Sequence, residues 1–536
     1  MPNVYAILAG IDPRLPWPGM LVVMAMAAMA VVLRFAPNGF GAPWVRQATR
    51  WCGIALGALA ALQLGLAVSY FFYPRYLDWI EPTIIAGSWI GLRGGQFYTS
   101  MTGGDITGVW YGPMLFHLNG IMLWLLGPSI ESSKLLGELA FFGALYLSFR
   151  VLMRAGASRN EALVLTAIQC LVVCGFANQA SAFGIRTEPL LVLAAECAVF
   201  AATSRPSFAA AAILGVLTGL MANLKIQGIF FNFPIFVFFM CQAESNIRRL
   251  QLFGVAAAAG AAGLLLPFAP PDAAPLRYLA LFTMGKHFAI QSWILQKNIV
   301  YLMMLWSPAA LLYGFFRPKL SFSLLCFVLA CIPAMGMVTM AASIEGGGSY
   351  NYLTFLPALS WFLLRLIQAI REQFPADAPQ LRRAVLGAMV AFLVGFTPNL
   401  AIAWYPIMTQ YKEAPNLWRA RAEIDAEMKA HPGKLLQIGP GRYADLRVIP
   451  VFHGNPLAID SETWYDLRMG GIDEDIVRRL IRSCRMDTWM HPATGPIFHE
   501  NNEPKLYSPE FIAEFRAHYR EEVSGGVLNP WRCARD

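Results

Sequence analysis

Residues 73–113, YPRYLDWIEPTIIAGSWIGLRGGQFYTSMTGGDITGVWYGP, set Asp78, Glu81 and Asp105 among aromatic side chains. They follow an apolar run long enough to cross a bilayer. Carboxylates are costly to hold beside a membrane and by default mark a functional site there. Such an acid can take the proton of an attacking hydroxyl, and a nearby cation can stabilise charge on a departing phosphate. Asp78 and Glu81, at i and i+3, share one face if the segment is helical up to Pro82. Asp105 reads as a second acid or a metal ligand; in its GGD setting the plainer reading is a turn residue.

Further along, Arg186, Lys225, Lys286 and His287 are the cationic or ring-nitrogen groups suited to a lipid phosphate. The stretch SIEGGGSYNYL (343–353) adds Glu345, Tyr350, Asn351 and Tyr352 behind a glycine run. Glycines allow close backbone approach, and Tyr and Asn offer hydrogen bonds to a sugar. Arg93 and Tyr111 join this sugar or acceptor set. Plainer readings stand beside these: snorkelling for Lys225, a structural ion pair for Arg186–Glu188, and an interfacial aromatic belt for the tyrosines.

The elements that must position these groups are mostly apolar helices. The chain has 536 residues, 57% of them hydrophobic and 14% charged, against roughly 25% charged in an average soluble domain. Apolar runs recur up to Trp404, as in a polytopic helical membrane protein. About twelve crossings are expected: 17–35, 51–73, 131–152, 161–180, 188–203, 208–223, 227–241, 250–269, 298–316, 320–343, 350–371 and 382–404. The short piece 113–127, opening on Pro113, is expected to lie in the interface. With the loop after 73 outside, the inner turns receive Arg34, Arg46 and Arg50, Arg150, Arg154 and Arg159, Arg205, Arg248 and Arg249, Arg317 and Lys319, and Arg371, Arg382 and Arg383. That is the positive-inside pattern, and it puts loops 74–130 and 270–297 outside, facing the periplasm across a cytoplasmic membrane. The start of the chain lacks the features of a cleaved signal peptide.

Residues 405–536 change texture. They hold 17 of the 41 Lys/Arg and 19 of the 33 Asp/Glu, so the net charge of +8 belongs to residues 1–404. The tail reads as a small extracytoplasmic α/β domain, with helices over 415–431 and 473–483 and short strands at KLLQIG, LAI and MDTWM. Seven cysteines fall in apolar runs, while Cys484 and Cys533 in the tail could form a disulfide outside the cytoplasm. The five tail histidines show no metal-ligand spacing, and no nucleotide fingerprint, basic–aromatic nucleic-acid patch or nucleophile elbow is present. No cofactor is demanded; a divalent cation near Asp105 is the one place left open.

In order, the acidic pair, GxxGGQFY (91–98) and YGP resemble the first outer loop of GT-C glycosyltransferases, which include the protein O-mannosyltransferases and the aminoarabinose transferases of lipid A. FGIRTEPLLVL (183–193), GLMANLKIQGIFF (219–231) and GGGSYNYLTFLPAL (346–359) are similar to later motifs of that superfamily. The resemblance implies a mainly α, GT-C type fold with a small C-terminal α/β domain. It also implies inverting transfer from a polyprenyl-phosphate sugar to a hydroxyl of a glycan, lipid or protein. Asp78 or Glu81 would be the base and Lys225 a donor-phosphate contact. The acids here are separated by Trp79 and Ile80, where that superfamily usually has them adjacent. Competing readings are a carrier of lipid-linked solutes, expected to show inverted repeats and mid-membrane polar groups, and a polymerase or ligase using a diphosphate-linked glycan.

Overall fold

The computed structural model describes residues 16–35, 42–98, 104–175, 180–269, 274–284, 289–344, 346–499 and 506–534. Without water to bond backbone groups, apolar segments must satisfy them internally as helices, and the chain is mainly helical. In order it forms α1 (Trp17–Phe35), α2 (Ala42–Phe71), α3 (Ile80–Leu92), α4 (Pro113–Leu126), α5 (Ile130–Arg154) and α6 (Arg159–Gly175). Next come α7 (Thr187–Ala202), α8 (Phe208–Leu224), α9 (Phe233–Cys241), α10 (Asn246–Leu265), α11 (Ala274–Met284), α12 (Ser292–Phe316), α13 (Phe322–Ala342), α14 (Leu356–Gln373) and α15 (Ala378–Ala430). Pro113 at the first position of α4 and serine caps before α5, α8, α10 and α13 set where these helices begin.

Helices stand at each of the twelve expected places, but they are not equivalent. Among the described residues eight segments are long and apolar enough to cross a bilayer: α1, α2, α5, α10, α12, α13, α14 with its preceding turn, and the first part of α15. The 161–180 and 188–203 segments fold as the shorter α6 and α7, and α8 has 17 residues. The 227–241 segment breaks at Asn232 into a single turn and α9. The 113–127 piece is the 14-residue α4.

Small residues let two of these helices approach closely. A Cβ on Gly215 or Gly219 of α8 would lie 2.1 or 2.0 Å from the carbonyl oxygen of Ala256 or Gly260 on α10. Larger side chains there would force the helices apart. This contact fixes the helix that carries Lys225 at its end.

Past Trp404 the chain does not break: α15 runs 53 residues to Ala430 as one helix. It leads into α16 (Val448–Phe452), α17 (Ser461–Met469), α18 (Asp475–Arg482) and α19 (Pro509–His518) around a four-stranded sheet. The strands β1 (Leu436–Ile438), β2 (Thr488–Pro492), β3 (Tyr519–Glu521) and β4 (Leu528–Cys533) lie in the order β1-β2-β4-β3. β1 and β2 are parallel and the other pairs antiparallel. Cys484 and Cys533 are bonded. The LAI segment does not join this sheet. Its Ile459 instead bridges Ile106 of the first loop, with Ile106 N–H donating to the Ala458 carbonyl and Asp460 N–H to the Ile106 carbonyl. The loop after α2 is thereby stitched to the C-terminal unit.

Candidate active site

The loop after α2 turns back over that helix and enters α3 at Ile80, so Asp78 and Trp79 stay outside the helix. Glu81 is fully buried and reaches back. Its Oε2 accepts from the N–H groups of Leu77 at 2.8 Å and Asp78 at 2.9 Å. Its Oε1 accepts from the Tyr70 hydroxyl at 2.8 Å and the Ile185 N–H at 2.7 Å. All four partners are donors, and only the ionised acid accepts from all of them. Burial, with the Asp78 carboxylate behind it, pushes the Glu81 pKa up to about 7, while the Ile185, Tyr70 and Asp78 donors pull it down. A Cβ at position 184 would fall 2.4 Å from Oε1, so the glycine of FGIR is what admits this carboxylate.

Asp78 is set differently. Its Oδ2 pairs with Arg186 Nη2 at 2.6 Å, and its Oδ1 accepts from the Ile80 N–H at 3.3 Å. Arg186 is the residue that caps α7. Lys225 ends α8, and its Nζ donates to Glu188 Oε1 at 2.9 Å. The Tyr350 ring lies beside both cations, 5.4 Å from the Arg186 guanidinium carbon and 4.7 Å from Lys225 Nζ. Its own hydroxyl donates to the Gly346 carbonyl at 2.8 Å. Tyr111 completes the group: burial drives its phenol well above the usual range, and Arg186, Glu188, Tyr350 and Asp78 all act on it electrostatically.

Close backbone packing brings the YGP turn here. A Cβ on Gly112 would lie 1.7 Å from the Asn223 carbonyl oxygen. Asn223 also accepts from the Met114 N–H at 3.0 Å, clamping the start of α4 onto the end of α8. Five segments far apart in sequence therefore meet at one end of the helix bundle. They contribute three carboxylates, two cations and two tyrosines.

The other expected residues lie elsewhere. Asp105 makes a two-pronged pair with Arg485 of the C-terminal unit, both contacts at 2.8 Å. Arg93 is exposed at the end of α3, its Nη1 3.1 Å from where a Cβ on Gly454 would stand. Tyr352 is buried against Thr339, hydroxyl to hydroxyl at 2.6 Å, and Asn351 turns back to the Gly348 carbonyl at 2.8 Å. Lys286, His287 and Glu345 lie outside the described residues.

Two buried groups had no role in the sequence reading. Arg447 donates from Nε to Asp460 Oδ1 at 3.0 Å, and from Nη2 to the Trp79 carbonyl at 2.9 Å and the Thr83 hydroxyl at 2.7 Å. Thr83 in turn donates to Asp460 Oδ1 at 2.8 Å. This buried pair of the C-terminal unit grips both sides of the Asp78–Glu81 segment, and no spacing in the sequence announces it. Lys134, fully buried on α5, donates to the Tyr70 carbonyl at 2.9 Å and to the Tyr73 carbonyl, closing the end of α2. A lone lysine within an apolar run was the signal for that one.

No family model matches the sequence, and no curated protein matches it. Solved structures do. The chain superposes on ArnT from Cupriavidus metallidurans in the apo state with a TM-score of 0.53 at 12% identity, covering 88% of this chain and 97% of that one. The same protein bound to undecaprenyl phosphate gives 0.52, with the same identity and coverage. At that identity the likeness is one of architecture: the chain has a GT-C type fold.

Proposed function

We propose that the chain is a membrane glycosyltransferase that moves a sugar from a polyprenyl-phosphate donor to an acceptor hydroxyl, with inversion. The observation that carries this reading is the doubled ion pair around Tyr350, at the rim of a fold whose structural relative has been seen holding undecaprenyl phosphate. Arg186 and Lys225 are each held by one carboxylate. A donor phosphate arriving between them supplies a replacement counter-ion, with charge-assisted bonds from both. Asp78 is then released from Arg186 to face an acceptor. As the anomeric carbon–phosphate oxygen bond breaks, the acceptor oxygen bonds to that carbon from the opposite side and its proton passes to Asp78. The two cations stabilise the charge left on the phosphate. Glu81, with every lone-pair direction taken by a donor, holds the loop and leaves the base role to Asp78.

The basic inner turns support a cytoplasmic membrane location with this rim and the C-terminal unit on the periplasmic side. The test is a transfer assay in detergent with a panel of polyprenyl-phosphate sugars. Asp78→Asn is expected to lower turnover by about 10²–10⁴, and Lys225→Ala to weaken chiefly donor binding. A folded Asp78→Asn protein with full transfer rules out the base assignment, and unchanged donor affinity removes Lys225 from the phosphate site.

A further inference from the structure

A cavity of about 540 Å³, used by none of the chemistry above, opens between residues 128–130 at the head of α5, the last turns of α15 and the α16 turn. Its wall carries Arg421, Lys429, Lys434, His431 and His453, with Asp425 as its one acid. The cations are only loosely engaged. Arg421 reaches Glu131 at 3.3 Å and Lys434 reaches Asp487 at 3.8 Å, and all four side chains keep contact with solvent.

What surrounds the cavity fixes its depth. The end of α4, just before residue 128, exposes Trp124 by 69%, Leu125 by 60% and Leu126 by 53%. On α15, Trp418 is 49% exposed one turn before Arg421, with the guanidinium 5.5 Å from its ring. Tryptophans and leucines exposed together on a helix end are the side chains that settle into a membrane interface. α5 has 25 residues, about 37 Å at 1.5 Å per residue, against a hydrocarbon core of about 30 Å. Arg150 and Arg154 near its far end mark one headgroup plane, and its first turn, which lines the cavity, marks the other. By the length of α5 its first turn reaches headgroup level, and the basic wall lies beside the exposed apolar side chains that end α4.

We propose that this cavity binds the phosphate of an anionic lipid headgroup, tying the end of α15 and the C-terminal unit to the membrane surface. Arg421 and Lys434 can exchange their partners Glu131 and Asp487 for phosphate oxygens, Lys429 adds a third charge, and charge-assisted bonds to phosphate suit both guanidinium and ammonium groups.

The experiment is native mass spectrometry of the full chain released from detergent with phosphatidylglycerol or phosphatidylcholine. The wild type is expected to retain phosphatidylglycerol at least fivefold better. Lys429→Gln/Lys434→Gln, two exposed positions that leave the fold intact, is expected to erase that preference, and Asp425→Asn to strengthen it. Equal retention of the two lipids overturns the proposal, as does a double variant that behaves like wild type. Inorganic phosphate displacing the lipid at equal concentration also overturns it, since the site would then be one for soluble phosphate.

Discussion

Replacing Glu81 by glutamine tests the division of labour between the two acids. The carboxylate accepts four bonds, two on each oxygen. A glutamine offers one oxygen and one NH2 group, so one pair of donors must face another donor. If the NH2 is turned toward Tyr70, that hydroxyl can rotate to accept, and the Ile185 N–H alone is stranded. The other orientation strands the Leu77 and Asp78 N–H groups. A buried unpaired donor costs about 1–3 kcal/mol, and the surviving bonds lose charge assistance, another ~1–2 kcal/mol. The total is about 2–5 kcal/mol, a large part of the stability of an ordinary fold. At roughly 2 °C per kcal/mol this is a fall in melting temperature of about 4–10 °C. It would be followed by intrinsic tryptophan fluorescence in detergent, and amide exchange should rise first at Leu77, Asp78 and Ile185. If Glu81→Gln melts within a degree of wild type with unchanged exchange, yet transfers no sugar, Glu81 does chemistry rather than holding the loop.

The remaining expectations concern the C-terminal unit. Arg447→Met leaves the fully buried Asp460 without its cation and should cost about 3–5 kcal/mol. Adding Asp460→Asn should recover part of it, because Asn still accepts from the Thr463 N–H that begins α17; thermal melts of the single and double variants decide this. His491 is fully buried among Trp489, Phe498 and Phe515, and burial lowers its pKa to about 3. The unfolded chain therefore binds the extra proton first: its stabilisation is complete above the usual pKa near 6.5 and drains away as pH falls toward 3, by on the order of 1.4 kcal/mol per unit. Denaturant melts between pH 7 and 4 should show that slope and His491→Phe should flatten it. Breaking the Cys484–Cys533 bond, which closes a separation of 49 residues, should cost about 2–4 kcal/mol, read as a lower melting temperature of the Cys484→Ser/Cys533→Ser protein.

The charged and aromatic residues that meet at the candidate site were legible one by one but not as a set of partners. Asp78, Arg186, Lys225, Tyr111 and Tyr350 each stand out because charge or an aromatic hydroxyl beside an apolar run is costly without a use. Arg186 and Glu188 sit two apart and invite a local pairing. Side chains two apart at a helix start do not face each other, so Arg186 turns to Asp78 and Glu188 to Lys225. Likewise Asp78 and Glu81 share a face only in a continuous helix, and the helix begins after Asp78. Asp105 reads as a second acid, a metal ligand or, more plainly, a turn residue, and its pairing with Arg485, far along the chain, is not announced by its neighbours.

What the sequence alone determined was the character of each segment: apolar length dictates helices, and a return to ordinary composition past Trp404 marks where the chain changes texture. What only the tertiary structure decided was which acid is saturated with donors, which cation answers which carboxylate, and that Arg447 of the tail bonds to Trp79 and Thr83 around Glu81. The ion pairs and the Arg447 bonds join residues 37 to 368 positions apart. Local composition carries no trace of a bond whose two ends meet only after the chain has folded.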